Sequence, residues 1–406
     1  MGRREDEIEK VIEEFNRVDD SVDIDESDLT PIQEFYKDAT VLVTGCTGFL
    51  GHVLLEKLLR SCPVSRIYVL VRKKRGKELE TRLDEMFTDK VFQRVADQRF
   101  KVVAIEGDCE GPNLGISGED RDTLIKEVDM VFHVAATVRF DEKLKTAICI
   151  NVRAVRDLLR LARQMPRLKS FVHVSTIYCN CTRDVIAEEI YPPVANYEGV
   201  ISMVETLREE VLDKITPTLL GKYPNTYTYS KQIAEDVVKR EGEGCLLQFT
   251  VQQLVRHFCS IVKSILPNKE PIRGWINNLY GPTGVVVGTG AGFIRVVHIN
   301  NSITANVIPV DICVNSLLAV AWEAAENFKK AKEERSDFKL TTYNCESSTE
   351  NVRHSDVRVS ESNSADHLGI FHEAIVLHWG LRAVNQKHLV LQLHFGEELH
   401  LVGDLQ

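Results

Sequence analysis

The chain has 406 residues, of which 44% are hydrophobic, and carries a formal net charge of −10. This length can bury one large or two medium-sized hydrophobic cores, because single domains run to roughly 250 residues. Residues 1–30 hold 12 acidic and 4 basic side chains, so they account for −8 of the charge. The distribution argues against a nucleic-acid-binding surface and indicates a solvated acidic leader.

Cysteine spacing and the length of apolar runs exclude further classes of protein. The ten cysteines are scattered, and Cys179 and Cys181 form a CxC with no second pair or suitably spaced histidine, so they predict no metal site. A reducing compartment fits this usage best. The first ten residues have no apolar core, which argues against a secretory signal, and no window reaches 18 apolar residues. We therefore expect no membrane span in the chain.

The first functional element in the sequence is VLVTGCTGFLG, residues 41–51. A buried apolar strand leads into Gly45, Gly48 and Gly51, and the amphipathic helix HVLLEKLLR follows. Glycines let the chain reverse and let a pyrophosphate approach bare backbone, while a helix N-terminus presents unpaired N–H groups. Three glycines alone could form a plain tight turn, but the strand before them and the helix after them favour a dinucleotide site.

The second predicted strand, RIYVLVRKK, ends in basic residues that bear on the choice of cofactor. An acidic side chain at this position binds the 2′-OH of NAD, whereas a guanidinium accommodates the 2′-phosphate of NADP. Arg72 therefore favours NADP. A solvated basic turn is the alternative interpretation.

Three more strands follow, KVVAIEGD, DMVFHVAAT and LKSFVHVST, with helices between them. Asp108 ends the first of these strands and could accept from the adenine amino group or simply form a turn. His133 lies inside an apolar strand and is predicted to be a core histidine, whereas the small Ala135 and Ala136 leave room for a nicotinamide ribose. A long helix is predicted from Asp141 to about Met165. The alternation predicts an α/β fold with a doubly wound parallel sheet and ligands at the carboxyl ends of its strands.

The helix in PNTYTYSKQIAEDVVKR carries Tyr227 and Lys231, four residues apart on one face. The lysine charge can lower the pKa of the phenol, which can then pass a proton to a carbonyl oxygen. Ser175 and Thr176, at the end of the fifth strand, offer hydroxyls to hold that oxygen. A Tyr and a Lys at this spacing are common, but their combination with the glycine turn makes chance a poor explanation.

These motifs together resemble the extended short-chain dehydrogenase/reductase superfamily, through TGCTGFLG, FHVAA, HVSTIY and YTYSK. Within it the chain is similar to the alcohol-forming fatty acyl-CoA reductases of animals, especially insects. The narrower resemblance is carried by IQEFY, VFHVAATVRFDEKL, FVHVSTIYCN, YPPV, PNTYTYSK, and GWINNLYGPTGVVVGTGAGFIR followed by IPVDICVNSLL. It implies a Rossmann-like sheet with a smaller substrate-binding region, and an oxidoreductase that uses NADPH to reduce a long-chain acyl-CoA through a bound aldehyde to a primary fatty alcohol.

The resemblance also implies roles for individual residues. Tyr227 would donate the proton, Ser175 or Thr176 would hold the oxyanion, and Asn151 would support Lys231 through a water. Tyr227 and Lys231 would also bind the cofactor, with Lys231 donating to the nicotinamide ribose. The 2′-phosphate would bind Arg72, and the pyrophosphate would lie against Thr44, Gly45, Thr47, Gly48, Phe49, Leu50 and Gly51. Adenine and ribose would lie against Asp108, Cys109, Ala135, Ala136 and Thr137.

The resemblance divides the chain into an acidic leader (1–30), an NADP-binding reductase domain with substrate-binding insertions (31–350) and an atypical tail (351–406). Two stretches depart from the family pattern, and our hypothesis is that frame or exon-boundary errors produced both. In LLQFTVQQLVRHFCSIVKSI glutamines interrupt an apolar strand and an expected Arg-Pro pair lacks its proline. In the tail the family's C-terminal domain is not recognisable. Six histidines there have no ligand spacing, so we predict no metal site: His367, His372, His378, His388, His394 and His400.

Two other functions stay open from the sequence. One is a related reductase acting on a ketone or sterol, and the other is a catalytically impaired NADP-binding scaffold. The resemblance implies a role in lipid, wax or ether-lipid metabolism at a peroxisomal or endoplasmic reticulum membrane for the intact family member. Because this chain lacks the family's apolar tail, we expect it to be soluble, on the cytosolic face.

Overall fold

The computed structural model describes residues 24, 27–73, 76–183, 185–242, 249–254, 267–277, 284, 293, 298–299, 308–334, 341–345 and 399–400. The chain divides into two compact units, one of Val22–His257 and Val314–Cys345, the other of Met1–Ser21, Phe258–Cys313 and Glu346–Gln406. The predictions for most of the acidic leader, for the missing Arg-Pro pair and for the side chains of the tail histidines lie outside the described residues. The three-part division of the chain stays a prediction.

The larger unit is organised around a parallel sheet. Its strands are β1 Thr40–Thr44, β2 Arg66–Val71, β3 Val102–Glu106, β4 Met130–His133, β5 Ser170–Val174, β6 Phe249–Leu254 and β8 Thr341–Cys345. They lie in the order β3-β2-β1-β4-β5-β6-β8. The strand order reverses between β1 and β4, which confirms the predicted Rossmann-like α/β fold and places the ligand crevice at that point. In the smaller unit β7 His298–Ile299 pairs antiparallel with β9 Leu399–His400.

Helices alternate with the strands as the sequence predicted. They are α1 Pro31–Tyr36, α2 Phe49–Ser61, α3 Leu79–Phe87, α4 Gly118–Glu127, α5 Leu144–Ile148, α6 Ala154–Ala162, α7 Tyr197–Thr206, α8 Glu209–Leu220, α9 Thr226–Gly242 and α10 Val310–Glu334. Short 3₁₀ segments cover Lys90–Lys101, Pro112–Gly115 and Ile177–Asn180. A π-helical turn, Cys149–Arg153, joins α5 to α6, so the long helix predicted after β4 forms with a bulge in its middle.

Both faces of the sheet are buried, which explains why its strands read as unbroken apolar runs. Leu42, Val131 and Phe171 lie side by side on β1, β4 and β5 and belong to a cluster with apolar residues of α5, α6, α7 and α9. Their strand neighbours Val43 and Phe132 point to the opposite face and are also fully buried. This packing fixes the positions of the carboxyl ends of the three strands, where the polar residues follow.

β6 lies in the stretch where the sequence suggested an interrupted strand. Residues Phe249–Leu254 pair in parallel with β5 on one side and β8 on the other. Gln252 and Gln253 therefore belong to a continuous strand. Sheet pairing uses backbone N–H and C=O groups, which glutamine supplies as well as valine does.

The longest helix described is α10, Val310–Glu334. Near its start, the Asp311 carboxylate accepts the backbone N–H groups of Asn268 at 2.9 Å and Lys269 at 2.8 Å. No helix within the described ranges is long and apolar enough to cross a membrane.

Candidate active site

The glycine turn between β1 and α2 is shaped by two close approaches of backbone to backbone. Gly45 has a φ of +78°, and a Cβ there would lie 2.6 Å from the backbone nitrogen of Ala135. A Cβ on Gly51 would lie 2.1 Å from the carbonyl oxygen of Gly45. Both positions therefore require glycine. Gly48 begins α2 without a side-chain cap, so no side chain of its own separates the helix N-terminus from a phosphate.

The other residues predicted around the pyrophosphate divide into buried and accessible ones. The Thr44 hydroxyl is fully buried, lies 2.7 Å from Nδ1 of His133 and accepts the backbone N–H of Ala135 at 3.3 Å. Its side chain therefore ties β1 to β4. Thr47 is exposed on the turn, and Phe49 and Leu50 are half-buried in the first turn of α2.

Arg72 and Asp108 meet at the carboxyl ends of β2 and β3. Both side chains are accessible, and Arg72 Nε lies 3.9 Å from Asp108 Oδ2. Asp108 accepts the backbone N–H of Glu110 at 2.9 Å, so it forms the turn that the sequence left as one alternative. Cys109 is half-buried beside it, and burial raises the pKa of its thiol to about 12.

A second guanidinium, that of Arg82, lies near Arg72 and was not predicted from the sequence. Arg82 of α3 donates to the backbone carbonyl of Arg72. Its charge also acts on the Cys46 thiol of the glycine turn, where it opposes the larger rise in pKa caused by burial. Arg82 therefore lies between the end of β2 and the glycine turn. Its position in the helix after β2 was visible in the sequence, but the direction of its side chain was not.

Asn151 joins the segment after β4 to α9. Its side chain accepts the backbone N–H of Thr137 at 3.0 Å and donates to the carbonyl of Thr137 at 3.1 Å and to Ser230 Oγ at 2.9 Å. Ala135 and Ala136 are half-buried just before this contact. Asn151 lies in the π-helical turn, a feature that often marks functional positions. Its support of Lys231 through a water stays a prediction.

Thr176, Tyr227 and Lys231 come together where β5 ends and α9 begins. Tyr227 is half-buried close to Thr176. Burial raises the pKa of the phenol, and its interaction with the Thr176 side chain partly opposes the rise. Lys231 is buried one turn further along, and its Nζ donates to the carbonyl oxygen of Val174 at 2.8 Å. Burial lowers the pKa of Lys231 to about 8.

Ser175 is directed to a different partner. Its hydroxyl donates to Oε1 of Glu235 at 2.7 Å, in the interior of the unit. Glu235 was missed in the sequence, although it follows Lys231 by four residues and therefore shares the face of α9 that carries Tyr227. The structure thus pairs Thr176 with the tyrosine and Ser175 with a buried carboxylate.

His133 and His173 form a stacked pair on adjacent strands beneath this site. Their ring centroids are 5.3 Å apart, and both side chains are fully buried, which confirms that His133 is a core residue. Burial, assisted by the charge of Lys231, lowers the pKa of His133 to about 3 and that of His173 well below its usual range. Both imidazoles are therefore neutral at physiological pH.

This pair should make the protein sensitive to acid. The ordinary pKa of histidine is about 6.5. Below this pH the unfolded chain binds protons at these histidines and the folded chain does not. The free energy of unfolding therefore falls as the pH drops towards about 3. Each histidine contributes a slope of up to about 1.4 kcal/mol per pH unit. Urea unfolding at several pH values should show a shallower slope for His173→Leu than for the parent. Equal slopes would contradict the expectation.

The glycine turn at a topological switch point and the Tyr-Lys pair beside a strand-end hydroxyl define an NAD(P)-binding unit of the extended short-chain dehydrogenase/reductase class. Comparison with known proteins agrees, because residues 43–317 match the NAD-binding family model described as Male sterility protein. The chain belongs to this family, and the resemblance to fatty acyl-CoA reductases stated from the sequence is confirmed.

Several curated relatives of the chain are named fatty acyl-CoA reductases. The chain is 42% identical over 307 residues to "Fatty acyl-CoA reductase wat" of Drosophila melanogaster, covering 75% of this chain and 58% of that protein. It is 44% identical over 328 residues to "Fatty acyl-CoA reductase 1" of Xenopus laevis, covering 80% and 60% respectively. It is 41% identical to the human protein of that name, and the match covers 80% of this chain and 61% of that protein. The chain thus spans about 60% of the length of these relatives.

Among solved structures, the chain is similar in fold to a reductase domain of a nonribosomal peptide synthetase from Mycobacterium tuberculosis. The TM-score is 0.52 at 20% identity, and the match covers 78% of this chain and 68% of that one. A second structure of such a domain gives a TM-score of 0.51 at 20% identity, covering 87% and 80%. At this identity the likeness supports the fold alone.

Proposed function

We propose that the protein uses NADPH to reduce a long-chain acyl-CoA thioester, through a bound aldehyde, to a primary alcohol and free CoA. The observation that carries this proposal is the proximity of Thr176 and Tyr227 to the buried Lys231, whose Nζ donates to the carbonyl oxygen of Val174. Two hydroxyl groups that lie near each other can both form hydrogen bonds to one carbonyl oxygen. The substrate class comes from the names of the relatives, and from a surface feature described below.

The reaction consumes two hydrides and two protons for each acyl-CoA, and leaves one alcohol and one CoA thiol. NADPH supplies the hydride when bound. Thr176 donates a hydrogen bond to the carbonyl oxygen as negative charge develops there, and Tyr227 donates the proton. The lysine ammonium, held by the Val174 carbonyl, favours ionisation of the phenol. The same groups serve the thioester and the aldehyde, because each reduction places charge on the same oxygen.

An apolar surface beside Tyr227 is suited to an acyl substrate. The Phe140 ring lies 5.9 Å from the Tyr227 ring, and the side chain is 46% exposed. Val138, two residues before it, is exposed to the same extent. Apolar side chains exposed next to a reacting group gain free energy by covering a hydrocarbon chain, at roughly 25 cal/mol per Å² of apolar area.

NADPH is the cofactor that the cations near β2 favour. Arg72 is exposed at the end of β2, and Arg82 approaches its backbone. A guanidinium there can bind the 2′-phosphate in a bidentate manner. The glycine turn fits the pyrophosphate because Gly45 and Gly51 have no room for side chains and Gly48 leaves the start of α2 uncapped.

Arg72→Asp should weaken the binding of NADPH far more than that of NADH. Loss of one charge-assisted contact to phosphate costs about 1.5–3 kcal/mol, or roughly ten- to a hundredfold in affinity. Fluorescence titration with both cofactors measures the difference. Lys73→Asp, at the neighbouring exposed position, is the matched control. An equal loss for both cofactors would show that Arg72 is only a turn residue.

Product analysis with a labelled long-chain acyl-CoA and NADPH tests the proposed function. We expect primary alcohol, with two NADPH oxidised for each acyl-CoA consumed. Turnover of ketones or sterols but not of acyl-CoA would favour a related reductase, and cofactor binding without turnover would favour a scaffold. Either of these results would contradict the proposal.

For location, we propose a peroxisomal or endoplasmic reticulum membrane for the full-length protein, because the family resemblance implies it and a water-insoluble alcohol product suits it. Cell fractionation against markers of both organelles tests this. Recovery of the full-length protein away from both would contradict it.

A further inference from the structure

Glu235 is a fully buried carboxylate in the third turn of α9, with 0% of its surface exposed. Ser175 Oγ donates to Oε1 at 2.7 Å, Cys179 Sγ lies 3.0 Å from the same oxygen, and Asn180 Nδ2 lies 3.4 Å from Oε2. A buried carboxylate is costly unless it is hydrogen-bonded or paired, so this arrangement must be maintained by the fold.

The three donors belong to one short segment of chain, and that segment contains Thr176. Ser175 precedes Thr176 directly, while Cys179 and Asn180 belong to the 3₁₀ segment Ile177–Asn180 that follows it. Cys179 Sγ also lies 2.5 Å from the carbonyl oxygen of Thr176, so the single thiol proton is shared between two acceptors. Glu235 is therefore bonded to the chain on both sides of the residue that meets Tyr227.

Glu235 also lies one helical turn from Lys231. Burial lowers the pKa of that lysine, and Cys179 and, to a smaller extent, Glu235 oppose this effect. In the part of the chain that the structure describes, the other titratable groups near Lys231 carry no negative charge at neutral pH. His133 and His173 on β4 and β5 are neutral because burial lowers their pKa values, and burial raises the pKa of the Cys179 thiol well above its usual value. Tyr227, on the lysine's own helix, also has a raised pKa and is uncharged at neutral pH.

We propose that Glu235 is a positioning residue, which holds Thr176 against Tyr227 and supplies the counter-charge that keeps Lys231 protonated in its buried site. The inference rests on the proposed function, since Thr176, Tyr227 and Lys231 are the groups assigned to the reacting oxygen. Glu235 itself does not touch that oxygen. It acts through the strand end and through the lysine.

Glu235→Gln is the first test, because the amide has nearly the same shape but no charge. The parent should lose kcat/KM as the pH rises through the pKa of Lys231, about 8. In the variant this loss should begin at a pH lower by on the order of one unit. At neutral pH we expect kcat to fall about tenfold, with little change in KM for the acyl substrate. Asp236→Asn is the matched control, since that buried carboxylate lies on the same helix and pairs with Arg240 instead.

A parental pH profile in Glu235→Gln would overturn the proposal, and so would an equal shift in Asp236→Asn. If Glu235→Gln does not fold, Ser175→Ala tests the proposal instead, because it removes one of the hydrogen bonds between Glu235 and the end of β5. We expect kcat to fall roughly fivefold with unchanged NADPH affinity, and a parental kcat would overturn the proposal.

The two proposals can fail separately. A parent protein that reduces fatty aldehyde but not acyl-CoA would contradict the proposed function, and the pH profiles are then compared on the aldehyde. If the parent turns over neither substrate, the pH dependence of NADPH affinity is compared instead. We expect the variant to lose affinity at a lower pH than the parent, and identical profiles would overturn the role of Glu235.

Discussion

Tyr227→Phe should reduce turnover of both acyl-CoA and aldehyde about a hundred- to ten-thousandfold, while NADPH binding stays nearly intact. In the proposed mechanism the phenol donates a proton to the reacting oxygen, and general acid catalysis is worth roughly that factor. Phenylalanine keeps the ring that lies 5.9 Å from Phe140, so the packing at the mouth of the site is preserved. Both reductions should become slower, because each places negative charge on the same oxygen. Single-turnover oxidation of NADPH with each substrate measures the two losses.

A matched control distinguishes chemistry from packing. Tyr229 lies two residues further along α9, in the hydrophobic cluster under the sheet. Tyr229→Phe should therefore leave the single-turnover rate within about twofold of the parent. If Tyr227→Phe and Tyr229→Phe lowered activity and melting temperature to the same degree, the Tyr227 hydroxyl would be structural. A Tyr227→Phe protein that reduces aldehyde at the parental rate would remove this residue from the mechanism.

The sheet and the glycine turn could be predicted from sequence because their determinants are local. A strand buried on both faces is an apolar run, and a βα turn that approaches another strand closely needs glycine. The structure supports this explanation, because a Cβ on Gly45 would lie only 2.6 Å from the backbone nitrogen of Ala135. The neighbouring Thr44 could not be assigned in this way. Its partner, His133, lies 89 residues further along the chain.

The choice between Ser175 and Thr176 could not be made from sequence. Side chains next to each other in an extended chain point to opposite sides, and the sequence does not show which side faces the tyrosine. The structure pairs Thr176 with Tyr227 and Ser175 with Glu235. The π-helical turn around Asn151 was also not predicted from the sequence, because a single π-turn is too short to form a recognisable pattern of its own.

Lys231→Met should be more damaging than Tyr227→Phe, because it should impair both rate and cofactor affinity. We expect a rate loss of roughly a hundred- to ten-thousandfold for both reductions, since the phenol loses the charge that favours its ionisation. The lysine is also predicted to donate to the nicotinamide ribose. Loss of such a charged hydrogen bond should cost about ten- to a hundredfold in NADPH affinity.

Folding should not account for these losses. Methionine keeps the aliphatic stem, and the lowered pKa of Lys231 means that burial of its ammonium opposes folding at neutral pH. Lys239→Met, at an exposed position on the same helix, is the matched control and should behave like the parent. NADPH affinity, single-turnover rate and melting temperature are measured on both variants. If Lys231→Met loses activity only in proportion to its melting temperature, the lysine serves to pack α9 against the sheet and takes no part in the chemistry.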